Sequence, residues 1–403
     1  MKLFFGKMAV FYKLLGKNLK ISYLIFMKQN WITAAYYRGG TSKGVFFQAK
    51  DLPTDNQEEL SKIFLKIIGS PDPNGRQLNG MGGGVSSVSK SVIISPSKRD
   101  DADVDYNFIQ LAVEEPVAEW NNNCGNLSGA VGPYAVNTRI VKSKEGENKV
   151  RIYQVNTDKI IHATFDVKDG IASVEGDYSI AGVAGTGSKV RLDYLSPGGS
   201  GTGKLLPTGN AVDEIDIEGH GKIKVSIIDA ATPLVYILAE DLGLTCAESP
   251  DELDSKSKEM ELVQKIRRKC AFMIGLSKSE NEAPMNTPRI GIVSKPKDYT
   301  SLDKSKVSAG DHDICTRMFS MGKTHKAIMG TACVNIGVAA AIKGTIPFQV
   351  KREGADDLEL RVGNPSGIIV AGSVINQDNE TVEAVSAVMY RTFRPLMIGK
   401  VLV

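Results

Sequence analysis

The sequence predicts a β-rich α+β protein in two similar halves, and three observations carry that expectation. From Trp31 onward, short apolar runs alternate with Gly, Pro, Asn and Asp, as strands separated by turns do. Stretches with helical periodicity are few. A shift of 205 residues sets Gly125 on Gly330, Gly132 on Gly337 and Ala135 on Ala340, inside two segments of small, apolar residues. Each half would then hold one buried helix, with the two N-termini facing a shared cleft.

In chain order, the candidate strands are 32–37, 44–47, 91–94, 106–113, 150–156, 160–167, 222–228 and 234–239. Several alternate as antiparallel strands do, such as Val150, Ile152 and Gln154 against Arg151 and Tyr153. A helix over 57–68 follows from Leu60, Ile63, Phe64, Ile67 and Ile68, which fall on one face. Residues 250–274 read as a longer helix with a charged first half. Residues 332–342 are apolar all round, which places that helix inside a domain.

At 403 residues the chain exceeds what one core usually supports, so two domains are expected. Residues 1–30 hold six lysines and no acid, and taking these from 49 basic residues leaves 43 against 46 acidic ones. The body is therefore near −3, which argues against a general nucleic-acid surface. The lysine-rich stretch reads as an N-terminal extension or an organellar presequence. The protein is expected in the cytoplasm, or in the mitochondrion if that stretch is a presequence. No run has the length and apolarity of a membrane span. The five cysteines are odd in number and widely spaced, against a disulfide framework or a zinc site and for a reducing compartment.

The chemistry centres on Asn121-Asn122-Asn123-Cys124-Gly125-Asn126. A polar run gives way there to small residues, so a loop feeds a helix whose first turn carries Cys124 and Gly125. A free cysteine is ordinarily a buried small hydrophobe. At a helix N-terminus, however, unpaired N–H groups and the helix dipole favour the thiolate and can also hold an anion. Pro133 sits awkwardly inside this helix.

Three Gly-rich stretches are candidate ligand loops. Arg38-Gly39-Gly40-Thr41-Ser42-Lys43-Gly44, between two strands, offers a guanidinium, hydroxyls and an ammonium to a carboxylate or phosphate. The loop from Leu78 carries Ser86 and Ser87 and delivers Lys90 to the mouth of a strand. Gly198 to Lys204 fits a phosphate-binding pattern until Leu205, which stands where a magnesium-binding hydroxyl is needed. That stretch reads as an ordered loop between domains.

Several motifs run in order from about residue 32 to 403: Arg38-Gly-Gly-Thr-Ser-Lys-Gly, Ser89-Lys90, Asn123-Cys124-Gly125-Asn126, Leu206-Pro207-Thr208-Gly209-Asn210, Asp229-Ala-Ala-Thr-Pro233, His325-Lys326, Gly344-Thr345-Ile346-Pro347, Asn364-Pro365-Ser366-Gly367 and Arg391-Thr392. Together they closely resemble the 2-methylaconitate cis-trans isomerase family. The resemblance implies a diaminopimelate-epimerase-like fold: two similar domains, each a curved antiparallel sheet or barrel around a central helix. The domains would be 31–205, with 387–403 returning to it, and 206–386. It also implies no metal and no organic cofactor.

Carried over residue by residue, the catalytic pair falls on Lys90 and Cys124. Substrate binding falls on Arg38, Gly40, Thr41, Ser42 and Lys43, on Ser86 and Ser87, and on the two helix entrances, Gly125 with Asn126 and Gly330 with Thr331. Two-cysteine racemisation is disfavoured, because Met329 stands at the second entrance and Cys333 is one turn further on. Asn364 and Lys343 also depart from the family's usual His and Pro. The expected activity is isomerisation of an unsaturated tricarboxylate through an allylic carbanion. The alternatives are a keto-enol tautomerase of 4-oxalomesaconate type and a non-catalytic tricarboxylate- or nucleotide-binding protein. The expected partner is the small-molecule substrate, without nucleic acid or membrane, and a homodimer is the candidate assembly.

Overall fold

The computed structural model describes residues 30–180, 182–285, 287–320, 322–378 and 381–403. The basic N-terminal stretch lies outside them, apart from Asn30. Every candidate strand named above forms. The longer strands are β1 (Trp31–Gly39), β2 (Ser42–Gln48), β3 (Lys90–Pro96), β4 (Val104–Leu111), β5 (Gly146–Gln154), β6 (Lys159–Lys168) and β7 (Val190–Leu195) in the N-terminal half, and then β8 (Asp213–Ile217). They continue as β9 (Gly221–Asp229), β10 (Pro233–Leu238), β11 (Arg289–Ser294), β12 (Ile314–Ser320), β13 (Leu360–Asn364), β14 (Gly367–Gln377), β15 (Val382–Arg391) and β16 (Phe393–Leu402). The main helices are α1 (Gln57–Ile68), α2 (Ser128–Asn137), α3 (Ser257–Met273) and α4 (Gly330–Ala341).

Strand pairing exposes an internal repeat that the small-residue matches only hinted at. In the first half β1–β2, β3–β4 and β5–β6 pair antiparallel, while β2–β3 and β4–β5 pair parallel. The second half repeats the series with β9–β10, β11–β12 and β13–β14 antiparallel, and β10–β11 and β12–β13 parallel. The sheets are thus mixed rather than purely antiparallel as expected. The reason is connectivity: each parallel pair is joined by a crossover carrying a helix, α1, α2, α3 and α4 in turn, and parallel neighbours require such crossovers.

Each half has an inner and an outer helix on its sheet. Around α2, Tyr37, Phe46, Tyr106, Leu127, Tyr134 and Phe165 form one core, and around α4, Ile228, Tyr236, Ile336, Val362, Ala387 and Met389 form the other. On the outer face of the first sheet, Phe47 stacks on Phe64 of α1 at 5.2 Å, and α3 covers the second sheet through Val263, Ile266 and Cys270. α1 begins at Asn56, whose side chain accepts the Glu59 N–H, and stops at Gly69 in the left-handed region. The long helix expected over 250–274 is broken at Lys256, whose ψ of 76° leaves a short turn, Pro250–Ser255, ahead of α3.

The halves share β15, which pairs with β7 of the first and β14 of the second. Its buried Ala384, Ala387 and Met389 belong to the α4 core, whereas Phe393, just past Thr392, belongs to the α2 core. The chain therefore re-enters the first core at Phe393, and β16 lies beside β1.

Candidate active site

The β1–β2 hairpin lies against the entrance to α2. That helix begins at Ser128, later than expected, because residues 125–127 form a turn; the Ser128 N–H donates to the Cys124 carbonyl at 2.9 Å. Cys124 thus sits one turn ahead of the helix, with no side-chain cap between it and the first N–H groups. Two glycines let the hairpin approach. Gly40 has φ of +51°, and a Cβ there would stand 2.4 Å from Asn126 Oδ1 and 2.9 Å from Arg391 Cδ. At Gly44 a Cβ would meet Leu127 Cδ1 at 2.9 Å and the Lys90 carbonyl at 3.1 Å.

This packing brings Ser42, Lys90 and Cys124 together. The Cys124 thiol is 3.9 Å from the buried Ser42 hydroxyl. Lys90 and Cys124 are 6% and 9% exposed, so both side chains are largely withdrawn from water. Burial holds the Lys90 ammonium below the usual lysine range, and the charge of Cys124 partly offsets this. Lys90 Nζ lies 5.2 Å from the centre of the Phe108 ring and donates to Gln110 Oε1.

Thr41 and Asn126, close in sequence to Ser42 and Cys124, line a cavity of about 330 Å³ between the halves. Its far wall includes Ile328, Gly330, Asn364 and Ser366, and Arg391 contributes from the shared strand. Asn126 Nδ2 donates to Thr41 Oγ1 at 3.1 Å, and Arg391 Nε donates to Asn126 Oδ1 at 3.0 Å. Among the described residues no carboxylate pairs with Arg391. Across the cleft α4 begins at Gly330 without a side-chain cap, and a Cβ on Gly330 would meet nothing within 4 Å. Tyr194 packs against both cores; its hydroxyl is 3.4 Å from the Gly125 carbonyl, and burial pushes it up to about 12. A larger cavity of about 840 Å³, lined by Lys62, Gly69, Asp72 and Asn79, includes none of these residues.

The remaining sequence candidates are placed differently. Arg38 turns to the chain junction: its NH1 donates to Thr392 O and Oγ1 and to Gly40 O, each at 3.0 Å. It holds the hairpin to the returning strand. Lys43 lies over the Tyr36 ring at 5.8 Å. Ser86 is exposed, and its carbonyl accepts from Gln110; Ser87 is half-buried beside it. Thr331 accepts from Arg289 NH1 at 2.8 Å. Cys333 is fully buried, and its thiol is pushed up to about 11. The loop from Gly198 folds around a carboxylate of its own chain: Asp229 accepts from Ser200 Oγ, Gly201 N, Thr202 N and Thr202 Oγ1 at 2.6–2.8 Å. Donors that a nucleotide phosphate would need are spent there, which removes the nucleotide-binding alternative.

Gln110 and Tyr194 were not among the sequence candidates. Gln110 is the cross-strand partner of Lys90, a signal visible only once register is known. Arg391 had a sequence signal, the Arg391-Thr392 motif. Among the described residues no cluster of three or more His, Cys, Asp or Glu is placed to hold a metal ion. No helix among them is long and apolar enough to cross a membrane.

Two sheet-wrapped helices meet at one cleft, and the proteins similar to this chain over nearly its whole length are named isomerases, which puts it among the isomerases. The family described as PrpF protein matches residues 29–403, and the chain belongs to it. It is 39% identical over 387 residues to a 2-methyl-aconitate isomerase of Shewanella oneidensis, covering 93% of this chain and 97% of that one. A 3-methylitaconate isomerase of Eubacterium barkeri is 39% identical over 376 residues, 92% of this chain and 97% of the relative. The crystal structure of a methylitaconate-delta-isomerase superposes with a TM-score of 0.86 at 40% identity, over 93% of this chain and 96% of that one.

Proposed function

We propose that the chain isomerises an unsaturated tricarboxylate of the aconitate type, moving its double bond or interchanging its cis and trans forms. The observation that carries this reading is the buried Lys90–Cys124 pair, whose sequence neighbour Asn126 lines a cleft that also holds Arg391, an arginine without a carboxylate partner among the described residues. Its relatives are named for 2-methyl-aconitate, a tricarboxylate of this type, and for 3-methylitaconate, an unsaturated dicarboxylate that also carries an allylic proton next to a carboxylate.

The proton to be moved is allylic and adjacent to a carboxylate, so its loss delocalises negative charge onto that carboxylate. Such carbon acids are very weak without help. In this reading Arg391 and the uncapped N-terminus of α4 hold substrate carboxylates, a role supported by their position in the cleft wall. One preorganised donor aimed at the developing charge is worth about 3 kcal/mol. Cys124 takes the allylic proton as thiolate. The Lys90 ammonium neutralises the dienolate and returns a proton, and a depressed ammonium pKa makes it the better donor near neutrality. Rotation about the bond that is temporarily single, followed by reprotonation, gives the isomer.

The test is a substrate panel of cis-aconitate, 2-methylaconitate, 3-methylitaconate and 4-oxalomesaconate followed by NMR in D₂O. Isomerisation of an aconitate-type acid with solvent deuterium in the product is expected. Turnover of oxalomesaconate alone would replace the proposal with the tautomerase. Binding without conversion of any acid would refute catalysis of this kind.

A further inference from the structure

The half-buried Gln110 is engaged at both ends of its side-chain amide. It stands directly across from Lys90 in the β3–β4 ladder, so the two side chains leave the same face of the sheet side by side. Its Nε2 donates to Ser86 O and Ser89 O at 3.1 Å and to Leu111 O at 3.3 Å. All three are carbonyls, which only accept, so the amide has one permitted orientation. Its oxygen must therefore face the Lys90 ammonium, to which it is the hydrogen-bond acceptor. Ser86 and Ser89 belong to the loop that delivers Lys90, and Ser89 is itself fixed by its hydroxyl bond to buried Gln77 at 2.7 Å.

We propose that Gln110 is the positioning residue for Lys90: it fixes the ammonium beside Cys124 through a neutral acceptor and so sets the pH at which Lys90 gives up its proton. This rests on the reading of Lys90 as the proton donor. The groups around Lys90 fit the role. From β4 come the Phe108 ring and the uncharged Gln110, from the α2 entrance comes Cys124, and β2 presents Gly44. Among the described residues, the charged influence acting on Lys90 is the thiolate form of Cys124. A carboxylate at position 110 would add a second negative charge and hold the proton on the amine. The neutral amide keeps the bond and leaves the proton free to move.

The experiment compares pH profiles of kcat and kcat/KM for the wild type, Gln110→Glu, Gln110→Met and Lys90→Ala, with thermal unfolding of each. Gln110→Glu is expected to move the alkaline limb up by about one to three pH units, the shift an adjacent opposite charge produces. Gln110→Met, which keeps the length and loses the acceptor, is expected to lower kcat about ten- to a hundredfold with KM little changed. If Lys90→Ala is inactive while both Gln110 variants fold and their profiles overlay the wild type, the assignment of Gln110 is overturned and that of Lys90 stands. If Lys90→Ala turns over at the wild-type rate, the reading of Lys90 falls first. A Gln110→Glu variant whose acidic limb moves up instead would make Lys90 the base and overturn the proposal in its present form.

Discussion

Gly40→Ala is the perturbation whose size the structure fixes best. A methyl group at this position meets Asn126 Oδ1 at 2.4 Å and Arg391 Cδ at 2.9 Å, on a backbone with φ of +51°. Holding alanine in the left-handed region costs about 1–2 kcal/mol. Displacing Asn126 breaks the Arg391–Asn126 bond and strains the Asn126–Thr41 bond, at about 1 kcal/mol for the one lost. The reduced entropy of the unfolded chain returns about 0.4–1 kcal/mol. The net expectation is a loss of roughly 2 kcal/mol, read by urea unfolding as a lower midpoint at constant slope. Because the displaced residues line the cleft, KM should rise more than kcat falls. Gly44→Ala makes the contrast: its methyl group presses on Leu127 and on the Lys90 carbonyl, so kcat should fall with KM held. A Gly40→Ala enzyme with wild-type stability and KM would refute the argument that the hairpin is seated through this contact.

Asn335 of α4 donates to Ile228 O, Ala230 O and Thr232 O and accepts from Tyr236 OH, bonds that are buried except for the part-buried one to Thr232, so Asn335→Leu should destabilise the protein by about 3–5 kcal/mol in chemical denaturation. Lys90 has a folded pKa below its unfolded value, so the unfolded chain binds more protons and stability rises with pH between the two. The stability of Lys90→Met relative to wild type should therefore be greatest near neutrality and diminish as pH approaches about 10.4, the unfolded lysine value; a gap independent of pH would contradict this. Cys333, buried and protonated at neutral pH, should react slowly with iodoacetamide, and Cys333→Ser should retain turnover. Rapid labelling of Cys333 that substrate blocks would make it part of the site.

The strands were legible because alternation and turn residues are local signals; those expected at 150–156 and 160–167 appear as β5 and β6 within a few residues. Sheet direction was not legible. Parallel or antiparallel pairing depends on which connection carries a helix, and α2 and α4 are so small and uniformly apolar that they lack the periodicity that marks α1. At the site, Cys124 stood out through its unusual neighbours and Lys90 through the family resemblance, while Arg391 appeared in a motif without a role assigned to it. Gln110 is one polar residue in an alternating strand, and only its register opposite Lys90 gives it a role. Arg38 shows the converse. A guanidinium beside glycines reads as a carboxylate site, yet two of its three acceptors are in Thr392, 354 residues away, where no local pattern reaches. The Gly198 loop likewise binds an anion, but the anion is Asp229.

In the proposed mechanism Cys124 removes the allylic proton and Lys90 returns it. Solvent-deuterium wash-in tests this most directly: each acid of the panel that is turned over is incubated in D₂O with the wild type, Cys124→Ser and Lys90→Ala, and label is followed by NMR in substrate and product separately. Cys124→Ser is expected to lose isomerisation and wash-in together while still binding substrate, and Lys90→Ala to lose product formation while retaining slow exchange into the substrate. Wild-type wash-in by Cys124→Ser, or label entering through Lys90 alone, would contradict this mechanism.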